Sequence, residues 1–567
     1  MANNILKRIL HKISRQNELF YIFIFVNLLP SLFLFITEPF NLAEKVALIT
    51  IPLAFLLIIL SLSKRVGLIQ MILLPFFFFH AFQLVVFSLF KEDVLAVDMF
   101  LNLVTTNASE AGELLSSILI PTISICSLYM LVIILVILSF KKNLSYSTTF
   151  LKKNRLVGIG MAIISIPLIF FGKDLNTNDS SIQANIYPIN IMYNMFFATN
   201  KYIKIKNYPS TSNNFSFNAT RKTQEEPEVY VLVIGETSRA DNWQIYGYNR
   251  QTNPNLSNNK SVLHFHDVIT QSNTTHKSVS ILLSAASAEN YELIYSQKSL
   301  ITAFKEAGFT TIYLSNQAKN GSFIEYFSKE ADHVEHYRSN NSIKNNFDSI
   351  LLDRLQYYTS SVKNNLLIVV HTYGSHFYYG ERYPREFAKY TPDNFTRIDQ
   401  NNRQRMINAY DNSIIYTDYF LSELSKILVR SGKPASYLFI SDHGEDIMDD
   451  DRNRFLHASP NPTYYQLRVP LLMWFSEKYK STYPQKYQQA KENQLKPIAS
   501  NVVFHTFVDL ANIETLYLNQ ENSLVNPNFK IKPRMYLGDH DNPIHFYKTN
   551  LKTQDKLMFE KSKMSIE

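Results

Sequence analysis

Residues 229–236 read Val-Tyr-Val-Leu-Val-Ile-Gly-Glu, residues 366–371 read Leu-Leu-Ile-Val-Val-His, and residues 437–445 read Tyr-Leu-Phe-Ile-Ser-Asp-His-Gly-Glu. Each is a short, continuous apolar run that ends abruptly in an acid or a histidine. Runs of that kind, bounded by turn residues and separated by helical stretches, are the pattern of an α/β sheet with helices on both faces. In such sheets ligands bind beyond the carboxyl ends of the strands. Three separate strands bring acids or histidines to that edge: Glu236, His371, and Asp442 with His443 and Glu445.

An Asp-His pair beside a Glu offers carboxylate oxygen and imidazole nitrogen without thiolate, a donor set that suits zinc, with manganese as the harder alternative. His376 and His457 are further candidates, and the set can serve one ion or two. The only cysteine is Cys126, inside an apolar run, so neither an intramolecular disulfide nor a cysteine-based zinc site can form. The polar stretch 270–280, Thr-Gln-Ser-Asn-Thr-Thr-His-Lys-Ser-Val-Ser, opens an apolar helix at Ile281. A hydroxyl at a helix amino terminus sits where backbone N–H groups favour developing negative charge, and metal coordination would lower its pKa. Thr274 and Thr275 both meet that description, and either also serves as a plain helix cap.

The 567 residues are 46% hydrophobic and 18% charged, yet the mean hydropathy is a neutral −0.10. The long apolar runs lie before residue 173 and the remainder is polar, which excludes a wholly cytosolic enzyme, a full-length transporter and a single-domain binding module. Crossing a bilayer takes roughly 20 apolar residues, and five segments qualify: about 19–36, 46–62, 66–90, 118–140 and 156–171. Lys7, Arg8, Lys12 and Arg15, then Lys64 and Arg65, then Lys141, Lys142, Lys152, Lys153 and Arg155 mark alternate connections as cytoplasmic. Five crossings then put everything after residue 171 on the outer face. Part of the net charge of +8 belongs to these flanks, so nucleic acid is not an expected partner. Residues 186–205, with Lys201, Lys204 and Lys206 at and beyond their end, suit a helix lying on the bilayer or packed as a connector; 208–226 reads as a flexible linker. The expected divisions are 1–172, 173–225 and 226–567.

The order of elements resembles the phosphoethanolamine transferases of the Gram-negative envelope, membrane-anchored members of the alkaline phosphatase and sulfatase superfamily. The resemblance rests on Gly235-Glu236-Thr237-Ser238-Arg239-Ala240-Asp241-Asn242, His371-Thr372-Tyr373-Gly374-Ser375-His376 with Arg382-Tyr383-Pro384, Tyr410-Asp411-Asn412-Ser413-Ile414, and Ser441-Asp442-His443-Gly444-Glu445. It implies an α-helical membrane domain of about five transmembrane helices, followed by an α/β/α sulfatase-like domain with a mixed, mostly parallel central sheet. It also implies that Glu236, Thr275, Asp442 and His443 hold zinc, with Thr275 as the nucleophile. His376 and His457 match histidines that bind the donor head group or a second zinc and move protons, Glu445 matches an acid beside them, and Asn316 and Lys319 match contacts to the donor phosphate.

The implied reaction moves phosphoethanolamine from phosphatidylethanolamine to an envelope acceptor, lipid A or another lipopolysaccharide group, through a covalent threonine intermediate. The implied location is the bacterial inner membrane, multi-pass, with the catalytic domain in the periplasm. On lipid A, the added amine would lower surface negative charge and weaken binding of cationic peptides such as polymyxin. A phosphoglycerol transferase of the lipoteichoic acid synthase type, or a membrane-anchored phosphatase or sulfatase, is the alternative. Relatives active on lipid A often carry several disulfides, a Cys-Gly near the nucleophile, and Pro where this chain has Ser280.

Overall fold

The computed structural model of the protein describes residues 16–38, 41–91, 94–105, 112, 118–171, 186–222, 226–319, 321–338, 347–549 and 551–566. The basic tail at 7–15 and the start of the expected connector, 173–185, lie outside these. The chain divides into two compact units, one within residues 1–100 and 118–198, the other within 101–117 and 199–567.

The first unit is helical: α1 (Gln16–Thr37), α2 (Leu42–Leu60), α3 (Phe76–Phe90), α4 (Leu119–Lys141) and α5 (Thr148–Phe171). Of these, α1, α2 and α4 are long and apolar enough to cross a membrane. The expected third segment, 66–90, is not one helix. A five-residue helix, Leu68–Ile72, stops ahead of Pro75, which lacks an N–H, and α3 restarts there for only 15 residues. At 1.5 Å per residue that is about 22 Å, short of a hydrocarbon core of about 30 Å. The fifth segment sits in a helix whose first turns carry Lys152, Lys153 and Arg155. Three of the described helices are thus long and apolar enough to cross a membrane. Helix α2 begins with a reciprocal cap between Asn41 and Glu44. At its other end Arg155 donates to the Ser61 carbonyl at 2.6 Å. Gly158 lets α5 lie against Ala54 and Leu57, where a Cβ would come within 3.0 Å of both.

Helix α6 (Ile189–Thr211) passes from the first unit to the second after Ala198. Of its lysines, Lys204 and Lys206 are exposed, whereas Lys201 is buried and pairs with Asp541 at 2.8 Å, the behaviour of a packed connector on that face. The expected flexible linker after it is packed as well. Phe217 is 1% exposed and stacks with Phe504 and Tyr517, Tyr208 donates to Glu330, and Thr220 bridges Glu514. Two phenylalanines spaced among the Ser and Asn residues supply enough apolar area to hold this stretch on the core.

The second unit is built on seven strands: β1 (Val229–Gly235), β2 (Val262–Phe265), β3 (Thr310–Ser315), β4 (His333–His336), β5 (Leu366–His371), β6 (Ala435–Ser441) and β7 (Leu471–Phe475). Their order is β2-β7-β6-β1-β5-β3-β4, with β7 antiparallel to both neighbours and the other pairings parallel. The sheet is therefore mixed and mostly parallel. Its central strands are buried on both faces, which is why they read as unbroken apolar runs. Tyr230, Leu232 and Ile234 pack with Ile281, Phe304 and Phe507 on one side, and Val231 and Val233 are equally buried on the other. Register aligns the functional edge: Ile234 lies opposite His371, and Gly235 opposite Ser441.

Phe217→Ala should cost about 3–5 kcal/mol, the usual price of emptying a buried phenylalanine site. Denaturant unfolding of the full chain in detergent measures it; an unchanged midpoint would return 208–226 to the status of a tether.

Candidate active site

Where β1 and β6 end, one carboxylate joins them. Asp442 Oδ1 accepts the backbone N–H of Thr237 at 3.0 Å and of His443 at 2.7 Å, and the Asp442 N–H donates to the Gly235 carbonyl at 3.1 Å. Its second oxygen, Oδ2, is buried and receives no hydrogen bond among the described residues; it lies 3.2 Å from His443 Nε2. His443 Nδ1 faces the Gly444 carbonyl at 2.9 Å, which places the proton on Nδ1 and turns the Nε2 lone pair toward the same point. Glu236 Oε1 is 3.7 Å from that nitrogen. Ligand atoms of Glu236, Asp442 and His443 all lie within 4.8 Å of one another, and all three residues are buried.

Two carboxylates and an imidazole lone pair converging in a buried space form a donor set that a cation would complete. Mixed oxygen and nitrogen ligands without sulfur fit zinc. The orphaned Asp442 oxygen is the observation that marks this group as one that could hold a metal ion.

Helix α7 (Thr275–Leu283) separates the two candidate threonines. Thr274 is its N-cap, and its hydroxyl meets Ser272 at 3.1 Å. Thr275 Oγ1 lies 3.1 Å from His443 Nε2 and 3.4 Å from Glu236 Oε1. The helix start is tied to the metal cluster, since Thr270 and Ser278 both donate to the Asp442 carbonyl. Lys277, also buried, pairs with Asp541 at 3.2 Å and donates to the Gly538 carbonyl at 2.9 Å, so Asp541 is held by Lys277 and Lys201 together. Ser280 bonds back to the His276 carbonyl inside the helix.

The loop after β5 lies directly on Glu236. Gly374 has φ +51°, and a Cβ there would stand 2.8 Å from the Glu236 carbonyl oxygen, so only glycine fits. Ser375 N–H donates to that carbonyl at 3.0 Å. Gly444 is equally constrained, since a Cβ would fall 2.0 Å from the Tyr465 carbonyl. Asp348 fixes the loop by accepting the N–H groups of Tyr373 and Gly374 and the Asn316 amide at 2.8 Å. Asn316, expected at the donor phosphate, therefore commits its Nδ2 to Asp348, and Lys319 is exposed. The residue of that turn that reaches the cluster is Gln317, whose amide donates to Glu236 Oε2 at 3.2 Å and to the Thr372 carbonyl.

His457 lies beside the cluster, its ring centroid 3.9 Å from that of His443. Leu456 and Ala458, on either side of it, both have positive φ, a strained arrangement that aims the imidazole. His457 Nδ1 is 3.2 Å from Glu445 Oε1, and Tyr379 donates to Glu445 Oε2 at 2.8 Å. Burial pushes Glu445 up to about 8, against the Tyr379 hydrogen bond and the His443 charge. Burial also pushes His443 and His457 down to about 4, against the pull of Asp442. His376 stacks on Tyr373 and is held well below the usual range, first by burial and then by Arg382. Gln317, Asp348 and Tyr379 carry no sequence signal of their own; each works through an amide or carboxyl that many loops contain.

Because burial already strips the proton from His443 near neutrality, zinc affinity of the full chain should stay flat from about pH 8 down to pH 5. It should fall as pH passes through about 4 and the Nε2 lone pair is protonated. Titration with a competing chelator reads this, and a loss of affinity centred near 6.5 would show an ordinary, solvated histidine instead.

A family model described as Sulfatase matches residues 228–513, from the first strand of the sheet past the last. Phosphoethanolamine transferase EptC of Escherichia coli K12 is 29% identical over 318 residues, 54% of this chain and 54% of that protein, so the chain spans about half the length of that relative. The crystal structure of the C-terminal periplasmic domain of Escherichia coli EptC, a complex with Zn, aligns with 60% of this chain and 98% of that one at 25% identity and a TM-score of 0.54. The integral membrane lipooligosaccharide phosphoethanolamine transferase A (EptA) from Neisseria meningitidis shares the fold over 89% of this chain and 97% of its own, with a TM-score of 0.70 and 21% identity. The matched region contains Glu236, Asp442 and His443, every member of the buried cluster, together with Thr275 beside it, and this chain belongs to the sulfatase family.

Proposed function

We propose that the protein transfers phosphoethanolamine from phosphatidylethanolamine to an envelope acceptor, lipid A or another lipopolysaccharide group, by way of a covalent intermediate on Thr275. The observation that carries this reading is the Thr275 hydroxyl, 3.1 Å from His443 Nε2 and 3.4 Å from Glu236 Oε1 at the head of a helix. Threonine is a poor structural ligand and a useful nucleophile. The names of the relatives, phosphoethanolamine transferases including one for lipooligosaccharide, support the transferred group and the acceptor class.

Zinc held by Glu236, Thr275, Asp442 and His443 would supply Lewis-acid charge, lowering the hydroxyl pKa and offsetting charge at phosphorus. Thr275 Oγ1 bonds to phosphorus as the bond from phosphorus to the diacylglycerol oxygen breaks. The Thr275 hydroxyl proton passes to the imidazole of His457 or His376, which hands it to the leaving oxygen; the same imidazole later takes the acceptor's proton and returns it to Thr275 Oγ1 as the acceptor displaces it. Glu445 Oε1, 3.2 Å from His457 Nδ1, holds that ring so that its other nitrogen is the one that carries the proton. The first unit would anchor this chemistry in the inner membrane through about five crossings, the broken segment 66–90 and α5 joining the three clear spans, with the catalytic unit in the periplasm. Donor and acceptor both lie in or near a bilayer, so tethering raises their effective concentration.

Intact-mass measurement of the full chain in detergent, after incubation with zinc and phosphatidylethanolamine, should show a gain of one phosphoethanolamine group. Thr275→Ala should show none and lose transfer by roughly 10³-fold or more, and His457→Ala by roughly 10²–10⁴-fold. A phosphoglycerol-sized gain from phosphatidylglycerol would assign the other transferase class, and no gain from either lipid would leave a hydrolase.

A further inference from the structure

Tyr373 sits at the edge of the site with an unusual set of neighbours. The Cζ of Arg338 lies 3.7 Å from its ring centroid and that of Arg382 4.3 Å, while His376 stacks at 4.8 Å with the rings 18° apart. The loop that carries the ring is fastened to Glu236 through Ser375 and to Asp348 through the N–H groups of Tyr373 and Gly374. Arg382 is buried and donates to the carbonyls of His376 and Phe377 at 3.1 and 2.8 Å; Arg338 is half-buried. The charge of Arg338 acts on Asp348, whose two oxygens already accept three N–H donors. His376 Nδ1 is buried and has no hydrogen-bond partner among the described residues.

We propose that Arg338 and Arg382, ordered on the Tyr373 ring, form the subsite for an anionic phosphate group of the acceptor, with His376 at its inner edge; this rests on the transfer reaction proposed above. The chemistry selects among the groups that enter the site. The ammonium of ethanolamine is repelled, because both guanidiniums already occupy the cation-binding surface of the ring. A neutral sugar gains little from fixed positive charge. A phosphate monoester matches the planar fork of arginine, and stacking holds each fork in place before the ligand arrives. The donor phosphodiester is the other anion present, but it must lie at Thr275 to be attacked, which leaves the Tyr373 edge to the second substrate.

The test uses the full chain in detergent with zinc, loaded from phosphatidylethanolamine and then given either phosphorylated lipid A or the same lipid after enzymatic removal of its phosphates. Loading and discharge are both followed by intact mass. The parent should discharge faster to the phosphorylated acceptor. In Arg338→Gln the ratio of discharge to loading should fall about tenfold with that acceptor and not with the dephosphorylated one, since a hydrogen-bonded charge contact is worth about that factor. Arg338→Lys should fall between the two, and Arg382→Lys should act in the same direction. A parent that does not prefer the phosphorylated acceptor overturns the subsite, as does an Arg338→Gln protein with an unchanged ratio. Equal slowing of loading overturns it too, by assigning the arginines to the donor phosphodiester. No adduct on the parent would sink the transfer reading itself, a result separate from the others.

Discussion

The two oxygens of Asp442 do different work, and the site depends on that division. One receives the N–H groups of Thr237 and His443 and so fixes the ends of two adjacent parallel strands. The other is left in a dry space facing His443 Nε2. A carboxylate satisfied on one side and unsatisfied on the other is costly unless a cation completes it. The strand ends thus present a donor set that could hold a metal, and the helix bearing Thr275 is tied to the carbonyl of the same residue by the hydroxyls of Thr270, just ahead of it, and Ser278, within it.

Much of this was legible in the sequence because parallel strands in the middle of a sheet leave a strong mark. Tyr230 to Ile234 and Leu438 to Ile440 have no exposed face, so they appear as unbroken apolar runs, and the acids that follow them stand out. Glu236, Asp442 and His443 were found that way. Thr275 was separable from Thr274 only by resemblance, since both are hydroxyls at one helix start and backbone geometry alone turns one toward Ser272 and the other toward the metal ligands.

Other parts left weaker traces. Residues 208–226 are rich in Ser, Asn and Thr, and composition reads that as a tether, yet Phe215 and Phe217 hold it against Tyr517. Segment 66–90 is apolar throughout, but hydropathy averages over Pro75 and does not register the break in the helix. Asn316 and Gln317 are adjacent amides on one turn, and which of them faces Glu236 depends on where Asp348 lies, a long-range fact. The bent backbone around His457 is carried by Leu456 and Ala458, residues that seldom adopt positive φ, so no turn signal precedes it.

Lys201 and Asp541 bear on where the second unit can be cut free of the first. A fragment begun at residue 226, where the first strand is about to start, would discard Lys201 and leave Lys277 alone with Asp541. It would also bare the faces of Phe504 and Tyr517 that Phe217 covers. A piece that keeps these contacts therefore starts near Thr199, inside α6, and carries with it a half-helix that hydropathy would assign to the bilayer surface.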